Sequence, residues 1–184
     1  MRIIAGAFRG RRLAAPKGRA LRPTADRLRE SLFNILAHGD GPPLSGARVA
    51  DIFAGTGAVG LEALSRGAAQ VTFVEKSAAS LECLKRNIDM LGVTDRCRVI
   101  AASARRLPPA EALFDIIFLD PPYRRGLAEP ALAALLAAGW TGPGSRIMLE
   151  TAADEAVALP QGLVEIDRRD SGDSVLLFLA PSAV

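Results

Sequence analysis

The 184-residue chain is poor in the side chains that do most catalytic chemistry. It has one histidine, two cysteines, one tryptophan and one tyrosine, and aromatic residues make up 5%. His38 is expected near a helix end, as a cap or a surface residue rather than a catalyst. Cys83 and Cys97 match no zinc spacing, so no metal site is expected. With no export signal in view, both are expected as reduced thiols in a cytoplasmic protein. Arg2 is not followed by a continuous apolar stretch and a cleavage site, which argues against a secretory leader. No apolar run approaches the roughly 20 residues that a bilayer-spanning helix needs, so no membrane association is expected.

Hydrophobic residues make up 49%, enough for a packed core rather than a disordered chain. The length suits one α/β domain with a small appendage. Net charge is only +3, but it is unevenly placed. Residues 1–30 carry nine basic groups against Asp26 and Glu30, a net of +7, while the remainder carries 14 basic and 18 acidic groups, a net of −4. A basic arm on a mildly acidic body is the electrostatic footprint of a protein that meets a phosphate backbone. The plain alternative is solvated surface charge.

Residues 49–53 form an apolar run that reads as a buried parallel strand, and residues 61–64 read as the first turns of a helix. Between them stands Gly55-x-Gly57-x-x-Gly60. Glycine permits positive φ and leaves room for a ligand against the main chain. The helix that comes next turns its free N–H groups toward that ligand. A tight turn with no ligand is the plain alternative. Glu75 ends the next apolar run, residues 71–74, where an acid can accept hydrogen bonds from ribose hydroxyls.

A nicotinamide dinucleotide and S-adenosylmethionine both fit that pattern. Asp120-Pro121-Pro122-Tyr123, at the end of the strand expected over 114–119, decides for the second. Hydride transfer has no evident use for this tetrapeptide, whereas methylation of an amino group on a planar ring does. The nitrogen lone pair is delocalised into the ring. Hydrogen bonds from its N–H groups to Asp120 and to the Pro121 carbonyl would draw it toward the methyl donor. The two prolines fix φ and carry no N–H, and Tyr123 offers a face for a flat base. A proline-stiffened strand exit is the alternative.

The rest of the chain alternates. Strands are expected over 48–53, 71–75, 97–102, 114–119 and 145–150. Helices are expected over 59–66, from a Ser77 cap to residue 91, and over 130–138. Segments 163–167 and 174–179 read as a terminal antiparallel pair. This implies right-handed crossovers, a mostly parallel sheet and a site at the carboxyl ends of the strands. Ahead of it, residues 2–5 and 12–15 read as two short strands, with the turn at 6–10 presenting Arg9 and Arg11. A helix starts from Thr24, with Leu28, Leu32, Ile35 and Leu36 inside. Gly39, Gly41, Pro42 and Pro43 read as a linker. Residues 1–43 are therefore expected as a basic extension and residues 44–184 as the cofactor domain.

These residues resemble a class I S-adenosylmethionine-dependent methyltransferase, and the chain as a whole resembles the RsmD family of bacterial 16S ribosomal RNA guanine-N2 methyltransferases. Four pieces carry the likeness. They are Arg2-Ile3-Ile4-Ala5-Gly6 with Arg9-Gly10-Arg11; Leu21-Arg22-Pro23-Thr24 through Asp26-Arg27 to Arg29-Glu30; residues 53–66; and residues 120–126. The resemblance implies a Rossmann-like seven-stranded sheet, RNA binding by the extension at residues 1–43 and a target in ribosomal RNA on a protein-bound small subunit. It places Asp51 near the methionine amino group, Glu75 on the ribose and Ser103-Ala104 beside the adenine, with Phe53, Gly55, Thr56, Gly57, Gly60, Lys76 and Asp120 around the cofactor. Residues 102–105 contain no acid, so Ser103 or backbone must read the adenine amino group. Arg9, Arg11, Arg12, Arg22, Arg27, Arg124 and Arg125 are the expected RNA contacts. Three alternatives stay open: adenine-N6 methylation on RNA or DNA, methylation of a protein glutamine amide, and RNA binding without catalysis.

Overall fold

The computed structural model describes residues 1–15 and 23–182, with the side chains of residues 23–28 excepted. Seven strands form one sheet. They are β1 (Arg48–Ile52), β2 (Gln70–Glu75), β3 (Cys97–Ala101), β4 (Ile116–Leu119), β5 (Arg146–Ala152), β6 (Leu163–Ser171) and β7 (Ser174–Pro181), in the order β3-β2-β1-β4-β5-β7-β6. The first five run parallel, and β7 inserts antiparallel between β5 and β6. The expected mostly parallel α/β sheet with an antiparallel carboxyl-terminal pair is therefore present. The helices are α1 (Pro23–His38), α2 (Ala58–Ser65), α3 (Ala78–Leu91) and α4 (Ala128–Ala137).

Strand alternation sorts the core into two layers. Val49, Val71, Phe73, Ile116 and Phe118 face α1, α2, α3 and the amino-terminal arm. Ala50, Ile52, Val74, Ile117 and Leu119 face α4, Phe114 and Trp140. Ser77 caps α3 by accepting from Ser80 N–H, and Gly92 closes it at φ +67°. The strands run somewhat longer than expected toward the carboxyl terminus, β6 reaching Ser171, because pairing with β7 continues through a bulge between Glu165 and Asp167. A 3₁₀ turn at Thr94–Arg96 is not expected from the sequence, being too short to show a period.

The arm forms a hairpin held by one antiparallel bridge, Arg2 with Arg12, rather than by two paired strands. Ile3 N–H donates to the Arg11 carbonyl at 3.0 Å and Leu13 N–H to that of Met1 at 3.1 Å. Ile3 and Leu13 are buried in the same core as Leu61, Leu64 and Phe33, so residues 1–43 share apolar packing with the strands and helices beyond residue 43. Leu32 and Leu36 of α1 are inside as expected, and so are Phe33 and Arg29, which the helical stripe does not include. Lys17, Arg19 and Arg22 lie outside the described residues, as do the side chains of Thr24, Arg27 and Leu28.

Candidate active site

β1 leads to β2 on one side of the sheet, and after β3 the chain crosses back to β4 on the other side of β1. The carboxyl ends of β1 and β4 therefore flank the point where strand order reverses, the usual crevice of such sheets. Three motifs meet there. Asp120 N–H donates to the Ile52 carbonyl at 3.4 Å and Ala54 N–H to that of Val74 at 3.0 Å, joining the tips of β4, β1 and β2. Phe53 turns the chain out of β1 at φ +65°, a conformation costly for a residue with a Cβ.

The three glycines do different things. Gly55, at φ +57°, has open space where a side chain would project, the nearest atom being the Phe53 carbonyl oxygen at 3.9 Å. Gly57 caps α2 at φ +81° and would drive a Cβ to 2.3 Å from Leu84 Cδ1. A Cβ on Gly60 would stand 2.4 Å from the Phe73 ring. Of the three, Gly55 alone has open space at its Cβ position; Gly57 and Gly60 let α2 lie close on β2 and α3.

Carboxylates dominate the crevice. Asp51 is buried, and its Oδ2 accepts the Gly60 N–H at 2.9 Å. Burial pushes its carboxyl up to about 7, the Gly60 hydrogen bond works against this, and the charge of Glu75 adds to it. Glu75 accepts three backbone N–H groups, from Gly55 at 2.8 Å, Lys76 at 2.8 Å and Ser77 at 2.7 Å. A carboxylate has about four lone-pair directions, and three of them are used here. Glu75 thus also pins the glycine loop, which its place at a strand end did not reveal. Lys76 is exposed and enters this network through its N–H. Thr56 is buried. Ser103 Oγ accepts from Arg105 N–H at 3.3 Å in the loop after β3, and Ala104 beside it is buried.

Asp120 is exposed, Pro121 is buried and Pro122 is exposed. The Tyr123 hydroxyl donates to Glu150 on β5, which fixes the ring by its far end. Burial and the Glu150 and Asp120 charges hold the phenol protonated. Arg124 donates its N–H to Glu155 at 2.8 Å, and its guanidinium pairs with Asp154 at 2.8 Å. Arg125 is exposed, as are Arg9, Arg11 and Arg12 on the arm, where Arg11 Nη2 donates to the Met90 carbonyl at 2.9 Å. Arg29 is different. It is buried, donates to the Arg2 carbonyl at 2.8 Å and lies 3.9 Å from Glu62, so it belongs to the core and not to the basic surface.

Other reactive groups lie away from the crevice. His38 is exposed, its Nδ1 against the Asn34 carbonyl at the end of α1. Burial pushes the Cys97 thiol up to about 12, which disfavours a thiolate nucleophile. A cavity of about 150 Å³ lined by Arg48, Gln70, Arg98, Phe114 and Trp140 opens at the opposite, amino-terminal edge of the strands. Among the described residues, no cluster of His, Cys, Asp and Glu could hold a metal ion, and no helix is long and apolar enough to cross a membrane.

The family described as Conserved hypothetical protein 95 matches residues 1–180. Ribosomal RNA small subunit methyltransferase D of Haemophilus influenzae is 37% identical over 176 residues, covering 94% of this chain and 89% of that protein. The protein of the same name from Escherichia coli K12 is 42% identical over 152 residues, covering 82% and 74%. The solved structure of Escherichia coli yhhF superposes with a TM-score of 0.84 at 35% identity, over 100% of this chain and 99% of that one. With a family match along nearly its whole length and relatives this similar, the chain belongs to the RsmD family of small subunit ribosomal RNA methyltransferase D proteins.

Proposed function

We propose that the chain transfers a methyl group from S-adenosylmethionine to the exocyclic N2 amine of a guanine in 16S ribosomal RNA, on a small subunit that already carries ribosomal proteins. The observation that carries this is the convergence of the Gly55 loop, Asp51, Glu75 and the Asp120–Tyr123 turn at the strand-order reversal. The charge of the site supports this donor over a dinucleotide. Asp51, Glu75 and Asp120 make the crevice acidic, which suits a ligand bearing a sulfonium and an ammonium and repels a pyrophosphate. The Gly60 N–H, at the α2 end that would hold a phosphate, is already taken by Asp51.

Asp51 would face the ammonium, Glu75 the ribose, and Ser103 with the backbone around Ala104 the adenine. When bound, S-adenosylmethionine supplies an electrophilic methyl group on positively charged sulfur. The chain supplies alignment of the amine in line with that methyl and sulfur. Asp120 and the Pro121 carbonyl accept the amine N–H groups, and Asp120 stabilises the positive charge that grows on nitrogen. Tyr123, tethered through its hydroxyl to Glu150, presents its ring to the base. A base inside a helix must be flipped out to reach this turn. Arg9, Arg11, Arg12, Arg22, Arg27 and Arg125 bind phosphate. Arg124 joins them by exchanging its exposed pair with Asp154 for RNA, a small loss because solvent screens an exposed ion pair.

Mass spectrometry of 16S ribosomal RNA from a strain lacking the chain tests the assignment. One N2-methylguanine is expected to disappear and to return on complementation. Loss of an N6-methyladenine instead would move the substrate, and an unchanged RNA would remove ribosomal RNA as the target.

A further inference from the structure

Asn87 of α3 is fully buried between the arm and the glycine loop. Its Oδ1 accepts the Ala14 N–H at 2.7 Å, and its Nδ2 donates to the Ala14 carbonyl at 3.1 Å and to the Thr56 carbonyl at 2.9 Å. These partners fix the amide orientation, since the reversed amide would set its oxygen against two carbonyls. The side chain therefore holds Ala14 as an opposing strand residue would, and with the same NH₂ group it holds the loop residue between Gly55 and Gly57. The arm reaches α2 as well. Glu62 accepts the N–H groups of Ile4 at 2.7 Å and Ala5 at 3.0 Å, and Ser65 Oγ accepts that of Phe8 at 2.9 Å. Gly6 lies so close that a Cβ there would stand 1.8 Å from the Ser65 carbonyl oxygen.

We propose that Asn87 is a positioning residue that couples the arm to the glycine loop, so that a docked arm favours the loop conformation that binds the methyl donor. If Ala14 leaves, the buried amide loses two of its three partners, and the hold on the Thr56 carbonyl loosens with them. RNA that holds the arm docked then raises affinity for the donor, and by reciprocity the donor raises affinity for RNA by the same factor. The identity of both ligands rests on the function proposed above; the coupling between arm and loop does not.

The test uses the full chain, S-adenosylhomocysteine as the probe, and two substitutions. Ala14→Pro removes the N–H that Oδ1 accepts and touches neither the loop nor the crevice. Asn87→Asp keeps the shape and the acceptor but turns an oxygen toward the two carbonyls. Both are expected to bind the probe roughly fivefold or more weakly in calorimetric titration, the low end of allosteric coupling. Amide hydrogen exchange over residues 54–57 is expected to accelerate in both. Ala14→Pro binding within about twofold of the unmodified chain, with unchanged exchange, overturns the coupling and leaves Asn87 a support of the loop alone. Should Ala14→Pro not fold by circular dichroism, Ala14→Gly loosens the same stretch of the arm, and faster exchange over residues 54–57 in it supports the coupling while unchanged exchange overturns it. If the unmodified chain does not bind the probe at all, the donor assignment fails. Exchange over residues 54–57 then decides the coupling by itself: faster in Ala14→Pro supports it, unchanged overturns it.

Discussion

At the scale of single residues, Asp51 and Asp120 are two carboxylates in opposite surroundings, one buried beneath α2 and one exposed at the mouth of the crevice. The Asp51 carboxyl stands at about 7 in the folded chain against an ordinary 3.8. A raised acid contributes stability in full below its ordinary value and loses it as pH rises through the folded value. The cofactor-free protein should therefore lose this contribution as pH climbs from 3.8 through about 7. A cation bound beside Asp51 favours the ionised form, so affinity for S-adenosylmethionine is expected to rise as pH approaches about 7 and to level off above it. Asp51→Asn should flatten the profile and weaken binding roughly 10- to 100-fold, the worth of a hydrogen bond to a charged group. Calorimetry across pH measures both, and a flat profile in the unmodified chain would separate Asp51 from the ammonium. Asp120→Ala should behave differently, with turnover falling ~10²–10³-fold and cofactor affinity unchanged, since in the proposed reaction its carboxylate meets the amine. Near-normal turnover on methyl-deficient small subunits would take Asp120 out of the mechanism.

At the scale of elements, the arm and α2 are joined by a carboxylate. Glu62 is fully buried, accepts two arm N–H groups, pairs with Arg66 at 2.7 Å and lies 3.9 Å from Arg29. Removing one partner of a buried ion pair leaves the other charge uncompensated. Glu62→Gln is thus expected to lower stability by about 3–5 kcal/mol in urea denaturation. Proteolysis should then cut within residues 1–15 of the variant before the rest of the fold yields. A loss under about 1 kcal/mol would show that Glu62 adds little to the hold that Ile3, Leu13, Ser65 and Asn87 keep on the arm. The tip of the arm obeys other physics. Arg9 and Arg11 are exposed, so their charges stay available to a phosphate backbone. Arg9→Glu/Arg11→Glu should weaken RNA binding and reduce the dependence of log affinity on log salt by roughly one per lost contact. Filter binding over a salt series, with the fold checked by circular dichroism, reads this directly. An unchanged slope would mean that these guanidiniums serve the hairpin only, as the Arg11 bond to the Met90 carbonyl already does in part.

At the scale of the whole molecule, what was legible in the sequence was whatever is local. Residues 49–53 and 114–119 announce buried strands by their apolar runs, and each motif directly succeeds its strand. The crevice could be assembled on paper because the chain itself carries Gly55 and Asp120 to the same edge of the sheet. The glycine spacing was legible, but not that Phe73 rather than a ligand fills the space beside Gly60. The features that stayed hidden are polar and distant. Glu62 in Leu61-Glu62-Ala63-Leu64 looks like a solvated helix charge, and Asn87 like an ordinary surface amide. Their partners on the arm lie 57 and 73 residues away, a separation to which no periodicity is sensitive. Arg29 looks like part of the basic arm for the same reason. Those separations also set an order of events during synthesis. The arm leaves the ribosome before the groups that dock it, Glu62, Ser65 and Asn87. A nascent chain that stops short of Asn87 lacks the side chain that holds Ala14, so one root of its hairpin has no anchor. Arrested chains of increasing length should stay cleavable at Arg9 and Arg11 until α3 has emerged, and resist afterwards. The segment proposed to meet RNA is thus made before the side chains that hold it in place.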